Sequence, residues 1–140
     1  MSQERRNLSA CIIDDDPIYQ FTMKSILNKQ KIVKEILVFK DGEQALDFFI
    51  SNIDNDQDLP DVIFLDIDMP IMDGFQFMER YVELKPKVGK KIIIYMVSSS
   101  VDPKDIERAK KISEISDYIV KPVEPGKLKI ILKEISNTIE

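Results

Sequence analysis

The strongest constraint on the fold of this chain is a series of short apolar runs that alternate with longer segments of helical character. Three of the runs are rich in Ile and Val. Apolar and polar residues do not alternate strictly along them, as they would in strands with one exposed face. The runs comprise residues Leu8–Ile13, Ile36–Phe39, Val62–Leu65, Ile92–Val97 and Tyr118–Val120. Brief apolar runs of this kind predict strands that are covered on both faces, as in a parallel sheet.

The helical pattern is clearest in the last segment of the chain. Its apolar residues recur at the spacing of one helix face, namely Leu128, Ile131, Leu132, Ile135 and Ile139. Strand and helix therefore alternate five times, which predicts a doubly wound α/β domain with helices on both faces of the sheet. The chain has 140 residues, and we expect residues 1–140 to form one domain without an effector domain.

The composition excludes several classes of function. The sequence contains no histidine, so a catalytic imidazole is absent, and with Cys11 as its single cysteine a structural zinc site is not expected. The formal net charge of −5 argues against nucleic acid or an anionic membrane as the main partner. No apolar run approaches the roughly 20 residues needed to cross a bilayer. The polar opening MSQERRN is unlike a signal peptide, so we expect a cytoplasmic protein with a buried, unreactive Cys11.

Unusual polar clusters follow the ends of four predicted strands. They are Asp14–Asp16 after the first strand, Asp66 after the third, Ser98–Ser100 after the fourth, and Lys121 with Pro122 after the fifth. The carboxyl ends of parallel strands lie at one edge of a sheet, where open α/β sheets bind their ligands. We therefore expect these side chains to form one site.

Several carboxylates at one site need a compensating charge. Two ionised carboxylates about 4 Å apart repel by on the order of 4 kcal/mol at an effective dielectric constant near 20, so a proton or a cation must offset the repulsion. Carboxylates, a carbonyl and water are the ligand set of Mg²⁺ or Mn²⁺. A divalent ion, a lysine and a hydroxyl around one carboxylate predict a site for an acyl phosphate.

In this order and at these strand ends, four segments resemble the receiver domains of bacterial two-component response regulators, of the single-domain chemotaxis-regulator type. The segments are IIDDDP, LDIDMPIMDG, MVSSS and DYIVKP, and the resemblance covers essentially the whole chain. It implies a flavodoxin-like (βα)5 fold with strand order 2-1-3-4-5. It also implies a signalling switch that takes a phosphoryl group from a histidine kinase or a histidine-phosphotransfer protein.

The resemblance assigns the acidic positions first. Asp66 matches the phosphoacceptor, which is also a metal ligand. Asp15 matches the acid that binds Mg²⁺ directly, and Asp14 matches its neighbour, which often acts through water. The backbone carbonyl of Asp68 matches the remaining protein ligand. The carboxylate of Asp68 adds a negative charge beside the phosphoryl site, at a position where the family varies.

The resemblance then assigns the phosphate-binding and switch positions. Ser98 stands where the family more often has the switch Thr, and Ser99 stands where it uses a small residue. Tyr118 matches the aromatic switch that rotates inward on activation. Lys121 matches the phosphate-binding lysine, and its peptide bond to Pro122 is expected to be cis.

Plainer structural roles remain for several residues near these motifs. Asp16 is expected to cap the helix that begins at Pro17, and Ser99 and Ser100 to shape the loop after the fourth strand. Three methionines are expected to fill gaps in the core, namely Met69, Met72 and Met78. Four basic residues are expected to form a solvated helix face, namely Lys104, Arg108, Lys110 and Lys111.

Two other functions stay open at this point. The segment DIDMP resembles the DxDx[TV] motif of Mg²⁺-dependent aspartyl-phosphate phosphohydrolases but lacks its hydroxyl residue. A phosphorylation-independent interaction module is the second alternative. For a receiver domain we expect a protein target at the face formed by the fourth helix, fifth strand and fifth helix. Binding to nucleic acid or membrane is not expected, and the domain should be a monomer or a weak homodimer.

Overall fold

Residues 8–138, which the computed structural model describes, alternate between strands and helices. The strands are β1 Leu8–Ile13, β2 Val33–Phe39, β3 Val62–Leu65, β4 Ile93–Ser98 and β5 Ile115–Val120. The helices are α1 Pro17–Asn28, α2 Gly42–Ser51, α3 Gly74–Leu84, α4 Pro103–Lys110 and α5 Pro125–Thr138. All strand pairs are parallel and the sheet order is β2-β1-β3-β4-β5. The predicted doubly wound (βα)5 fold is confirmed.

The strand predictions succeed in the centre of the sheet and fail at its edges. Strands β1, β3 and β4 are buried along their whole length, whereas β2 and β5 are largely half-buried or exposed. The expectation that every strand is covered on both faces is therefore wrong for the edge strands. Both begin three residues earlier than predicted, at Val33 and Ile115, because an edge strand tolerates polar residues that interrupt its apolar run.

The sheet separates two apolar layers, and alternate residues of a strand enter opposite layers. In β1, Ala10 and Ile12 belong to the layer under α1 and α5, and Cys11 and Ile13 belong to the layer under α2 and α3. The predicted α5 face is buried in the first layer through Leu128, Ile131, Leu132 and Ile135. Cys11 is buried as expected, and burial raises the pKa of its thiol.

Short 3₁₀ helices lie at Asp56–Asp58 before β3 and at Lys85–Lys87 before β4. Within residues 8–138, the helices are all too short or too polar to cross a membrane. The opening MSQERRN and Ile139, on which two of the predictions rest, lie outside the described residues.

Candidate functional site

Three carboxylates converge at the carboxyl edge of the sheet. Strands β1 and β3 are neighbours with Ile13 opposite Leu65, so the residues that follow them lie side by side. The amide of Asp66 donates a 2.9 Å hydrogen bond to the carbonyl oxygen of Ile13. Asp14, Asp15 and Asp66 each offer a carboxylate oxygen within 4.8 Å of the others. This set of hard oxygen donors fits a divalent cation such as Mg²⁺.

The acids of this cluster differ in exposure. The side chains of Asp14 and Asp66 are almost fully buried, whereas Asp15 and Asp68 are exposed. Burial raises the pKa of Asp66 to about 6, and the charges of Asp14 and Asp68 also raise it. Two groups lower the pKa of Asp66 but offset only part of this increase. They are the charge of Lys121 and the Ile67 amide, which donates a 2.8 Å hydrogen bond to Asp66 Oδ1. The free site therefore carries uncompensated negative charge near neutral pH.

The ammonium group of Lys121 lies in the acidic cluster, although Lys121 follows β5 at the edge of the sheet. Its Nζ lies 2.7 Å from Asp14 Oδ2 and 3.6 Å from Asp66 Oδ2. Strands β3 and β4 separate β5 from β1 in the sheet, so the side chain reaches across their ends. The amide of Lys121 donates a 2.9 Å hydrogen bond to the carbonyl oxygen of Ser98, and the peptide bond to Pro122 is cis.

Ser100 connects the two predicted switch residues. Ser98 is fully buried, and its Oγ accepts a 3.1 Å hydrogen bond from the amide of Ser100. The hydroxyl of Tyr118 donates a 2.9 Å hydrogen bond to the carbonyl oxygen of Ser100. Ser100 Oγ in turn donates to Asp105 in the first turn of α4, at 2.6 Å. The loop after β4 thus joins the acidic edge to α4, while Ser99 in the same loop is exposed.

Two residues of α1 that sequence reasoning missed also contact the site. The ring of Tyr19 faces Lys121, with Nζ 4.2 Å from the ring centroid. Gln20 Nε2 donates a hydrogen bond to the carbonyl oxygen of Asp14. The available signal was their position just after the cap Asp16, because the first turn of a helix that follows β1 must lie beside the carboxyl edge.

Asp16, Ser100 and the three methionines have the plainer structural roles that the sequence predicts for them. Asp16 caps α1 by accepting a 3.0 Å hydrogen bond from the amide of Ile18, and Ser100 Oγ shapes its loop by accepting one from the amide of Asp102 at 3.2 Å. Met78 is buried, and Met69 and Met72 pack against the same core layer, so their gap-filling role is confirmed.

The solvated basic face of α4 needs one correction. Arg108 is exposed, as predicted, but its guanidinium group also lies 4.1 Å from the centroid of the Phe75 ring. A cation over an aromatic face is attracted by the negative charge density of the ring. Arg108 therefore also covers part of the core, which its position in the sequence did not reveal.

Comparison with known proteins identifies the class that this fold and site define. A family model described as "Response regulator receiver domain" matches residues 10–133. The chain therefore belongs to the response regulator receiver domains, the phosphoaccepting signalling modules of two-component systems.

Two curated relatives contain this domain within much longer proteins. A hybrid signal transduction histidine kinase I of Dictyostelium discoideum is 32% identical over 91% of this chain but only 7% of its own length. A protein-glutamate methylesterase/protein-glutamine glutaminase of Ralstonia nicotianae is 30% identical over 85% of this chain and 29% of its own length. The chain thus spans less than a third of either relative.

Solved structures of similar size share the fold. A response regulator receiver protein from Dyadobacter fermentans is 34% identical, with a TM-score of 0.77 over 91% of this chain and 96% of that one. A two-component response regulator from Cytophaga hutchinsonii is 26% identical, with a TM-score of 0.82 over 94% and 97% of the two chains. The flavodoxin-like receiver fold therefore extends over nearly the whole chain.

Proposed function

We propose that this domain is a phosphorylation-controlled switch in which Asp66 is the phosphoacceptor. The observation that carries the proposal is the position of the Asp66 carboxylate, which has Lys121 Nζ 3.6 Å away and the oxygens of Asp14 and Asp15 within 4.8 Å. The donor would be the phosphohistidine of a histidine kinase or a histidine-phosphotransfer protein. An Asp66 oxygen attacks phosphorus, the P–N bond breaks, and the imidazole of the donor leaves with the bonding electron pair.

The same acids would hold Mg²⁺ or Mn²⁺, with Asp15, Asp66 and the backbone carbonyl of Asp68 as ligands. Asp14 fits a role through water, because its Oδ1 already accepts from the Asp16 amide at 2.9 Å and its Oδ2 already pairs with Lys121. When bound, a divalent ion offsets negative charge on the carboxylates and on the transferred phosphoryl group. Burial is the main cause of the raised pKa of Asp66, and the negative charge of Asp14 raises it further. A bound cation would balance that negative charge, which supports this reading.

The remaining site residues would read the phosphorylated state. Lys121 and the hydroxyl of Ser98 bind the new phosphoryl oxygens, with Ser99 beside them. A shift of Ser98 is transmitted to Tyr118 through Ser100, which is hydrogen-bonded to both. Phosphorylation then shifts a pre-existing equilibrium of this loop and its surroundings.

The output surface in this proposal is the face of α4, β5 and α5, and its partner is another protein. Exposed apolar side chains at Val120 in β5 and Ile130 in α5 support a protein target. The domain would act as a monomer or a weak homodimer and would turn over no small-molecule substrate, apart from its own phosphorylation and slow autodephosphorylation. Because a histidine kinase takes its phosphoryl group from ATP, we expect the reaction in the cytoplasm.

Incubation with acetyl phosphate and Mg²⁺ tests the proposal. Intact-mass measurement should show an added mass of about 80 Da, one phosphoryl group, which peptide mapping locates at Asp66. Asp66→Ala should stay unlabelled, and Asp68→Asn, a neighbouring exposed acid, is the matched control that should still be labelled. An unmodified wild-type mass, or equal labelling of Asp66→Ala, would refute the assignment.

Three further measurements distinguish this function from its alternatives. Rapid loss of label to an added histidine-phosphotransfer protein indicates a relay, whereas slow loss indicates direct binding of a target. Multiple turnover of a small phosphomonoester would instead make the domain an aspartyl-phosphate phosphohydrolase. A partner affinity that is equal in wild type and Asp66→Ala would indicate an interaction module that does not depend on phosphorylation.

A further inference from the structure

The ammonium group of Lys121 is held by two kinds of partner. The carboxylates of Asp14 and Asp66 lie 2.7 and 3.6 Å from Nζ, and the ring centroid of Tyr19 lies 4.2 Å from it. An ammonium ion over an aromatic face is attracted by the quadrupole of the ring, and more strongly where water is excluded. The side chain of Lys121 is only 15% exposed, so this attraction is poorly screened.

Tyr19 is itself held in place by its helix. It lies in the first turn of α1, which Asp16 caps through the amide of Ile18. Its ring is half-buried and packs against the core layer under α1 and α5. Its hydroxyl contacts the sulfur of Met23, one turn further along, at 3.8 Å. The aromatic face is therefore a rigid surface at the site and not a mobile side chain.

We propose that Tyr19 is a positioning residue that keeps the Lys121 ammonium beside the Asp66 carboxylate, where it meets the phosphoryl group. The inference rests on the proposed role of Asp66 as phosphoacceptor. Lysine has a flexible four-carbon side chain, and ordering it costs conformational entropy each time it binds an anion. A ring that already restrains the ammonium removes part of this cost.

Tyr19 differs from the other partners of Lys121 in one respect that matters for the switch. Asp14 and Asp66 belong to the acidic cluster that fits a divalent cation. When such a cation is present, their negative charge attracts both the cation and the Lys121 ammonium. The uncharged ring of Tyr19 is no metal ligand and keeps its attraction for the ammonium. It is thus the contact that persists when the acids serve the cation and the phosphoryl group.

Binding of beryllofluoride, a phosphoryl analogue, tests this role by calorimetry at saturating Mg²⁺ without a kinase. Tyr19→Leu should bind it about tenfold more weakly, since the loss of a partly buried cation–π contact has roughly this size. Tyr19→Phe keeps the ring and should bind within about twofold of wild type. Phe21→Leu removes an exposed aromatic ring from the same helix and is the matched control, with no expected change. Mg²⁺ affinity should be the same in all of these variants.

A double-mutant cycle shows whether the ring acts through the lysine. In a Lys121→Met background, Tyr19→Leu should cause no further loss of beryllofluoride affinity. An equal loss in that background, a loss in Tyr19→Phe as large as in Tyr19→Leu, or wild-type binding by Tyr19→Leu would each overturn the inference. If Tyr19→Leu does not fold, Tyr19→Met serves in its place, because methionine fills irregular apolar gaps.

The two proposals fail in different ways. If the wild type binds no beryllofluoride and acquires no phosphoryl mass, the function of Asp66 fails and the role of Tyr19 fails with it. If the wild type does both and Tyr19→Leu binds equally well, only the role of Tyr19 fails.

Discussion

Tyr118 and Ser98, which are 20 residues apart in the chain, are hydrogen-bonded to opposite sides of one residue. The Tyr118 hydroxyl donates to the carbonyl oxygen of Ser100 at 2.9 Å, and the Ser100 amide donates to Ser98 Oγ at 3.1 Å. A movement of Ser98 toward a new partner would break the second bond and shift the acceptor of the first. This arrangement gives the proposed switch a physical connection that can be measured in the unmodified domain.

We predict energetic coupling between Ser98 and Tyr118. Ser98→Ala and Tyr118→Phe should each lower the free energy of unfolding by about 1 kcal/mol, the net value of a typical hydrogen bond. The double variant should deviate from additivity by at least ~0.5 kcal/mol, because both bonds order the same loop. Urea unfolding of the four proteins gives the coupling energy. Tyr81→Phe in α3 is the control, and its effect should add to that of Ser98→Ala; an additive Ser98/Tyr118 pair would contradict the connection.

The raised pKa of Asp66 predicts how the stability of the metal-free domain depends on pH. The folded-state pKa of about 6 lies above the ordinary value of 3.8, so the folded state favours the protonated acid. This contribution to stability is fully present below about pH 4 and is lost as pH rises through 6. We expect the loss to be about 2 kcal/mol, less than a shift of about two pKa units would give at full strength, because the neighbouring acids Asp15 and Asp68 are exposed to solvent, which screens their charge.

Asp66→Asn isolates this effect because asparagine does not titrate. In the presence of EDTA at pH 7.5, the variant should be more stable than wild type by about 1–2 kcal/mol, and the difference should vanish near pH 4. Urea unfolding across this range gives both curves. Asp47→Asn, which changes an exposed acid on α2, should run parallel to wild type, and a parallel curve for Asp66→Asn would refute the electrostatic cause.

Removal of the divalent ion should remove stability that depends on Asp15. A ligand that binds only the folded state stabilises it by RT ln(1 + [L]/Kd), about 2.7 kcal/mol at one hundred times Kd. Mg²⁺ should therefore raise the melting temperature of wild type, and EDTA should reverse the change. Because Asp66 takes up a proton as pH falls through 6, the increase should shrink over the same range.

Asp15→Asn should lose most of this Mg²⁺-dependent increase while melting like wild type in EDTA, since Asp15 is exposed. The matched control is Asp16→Asn, because asparagine also caps helices and Asp16 is the cap of α1. Equal Mg²⁺ responses in Asp15→Asn and Asp16→Asn would exclude Asp15 as a ligand.

Gly74 sets the position of the Asp66 backbone. It is the first residue of α3, and its amide donates a 2.8 Å hydrogen bond to the carbonyl oxygen of Ile67. A side chain at Gly74 would collide with the carbonyl oxygen of Asp66. We expect Gly74→Ala to lower the free energy of unfolding by about 2 kcal/mol and to slow phosphorylation by acetyl phosphate. Gly126→Ala in the first turn of α5, where the space is open, should be neutral or slightly stabilising, and equal effects of the two variants would contradict this account.

The sequence by itself determined the order of the elements, the central strands and the edge of the sheet that carries the acids. These features depend on local patterns, because apolar runs and turn residues are read within a few positions. They also depend on the rule that the carboxyl ends of parallel strands lie together, which places Asp66 beside Asp14 once β1 and β3 are neighbours. The family motifs then assigned a chemical role to each acid.

The tertiary structure alone decided how these groups contact one another. The ion pair between Lys121 and Asp14 joins residues 107 positions apart, and the face of Tyr19 meets that lysine only because the segment after β5, at Pro122 and Val123, lies beside α1. The starts of the edge strands, the connection through Ser100 and the pKa of Asp66 depend in the same way on burial and on neighbours from other elements. A local pattern carries no information on these distances, because they result from the packing of elements that are far apart in the chain.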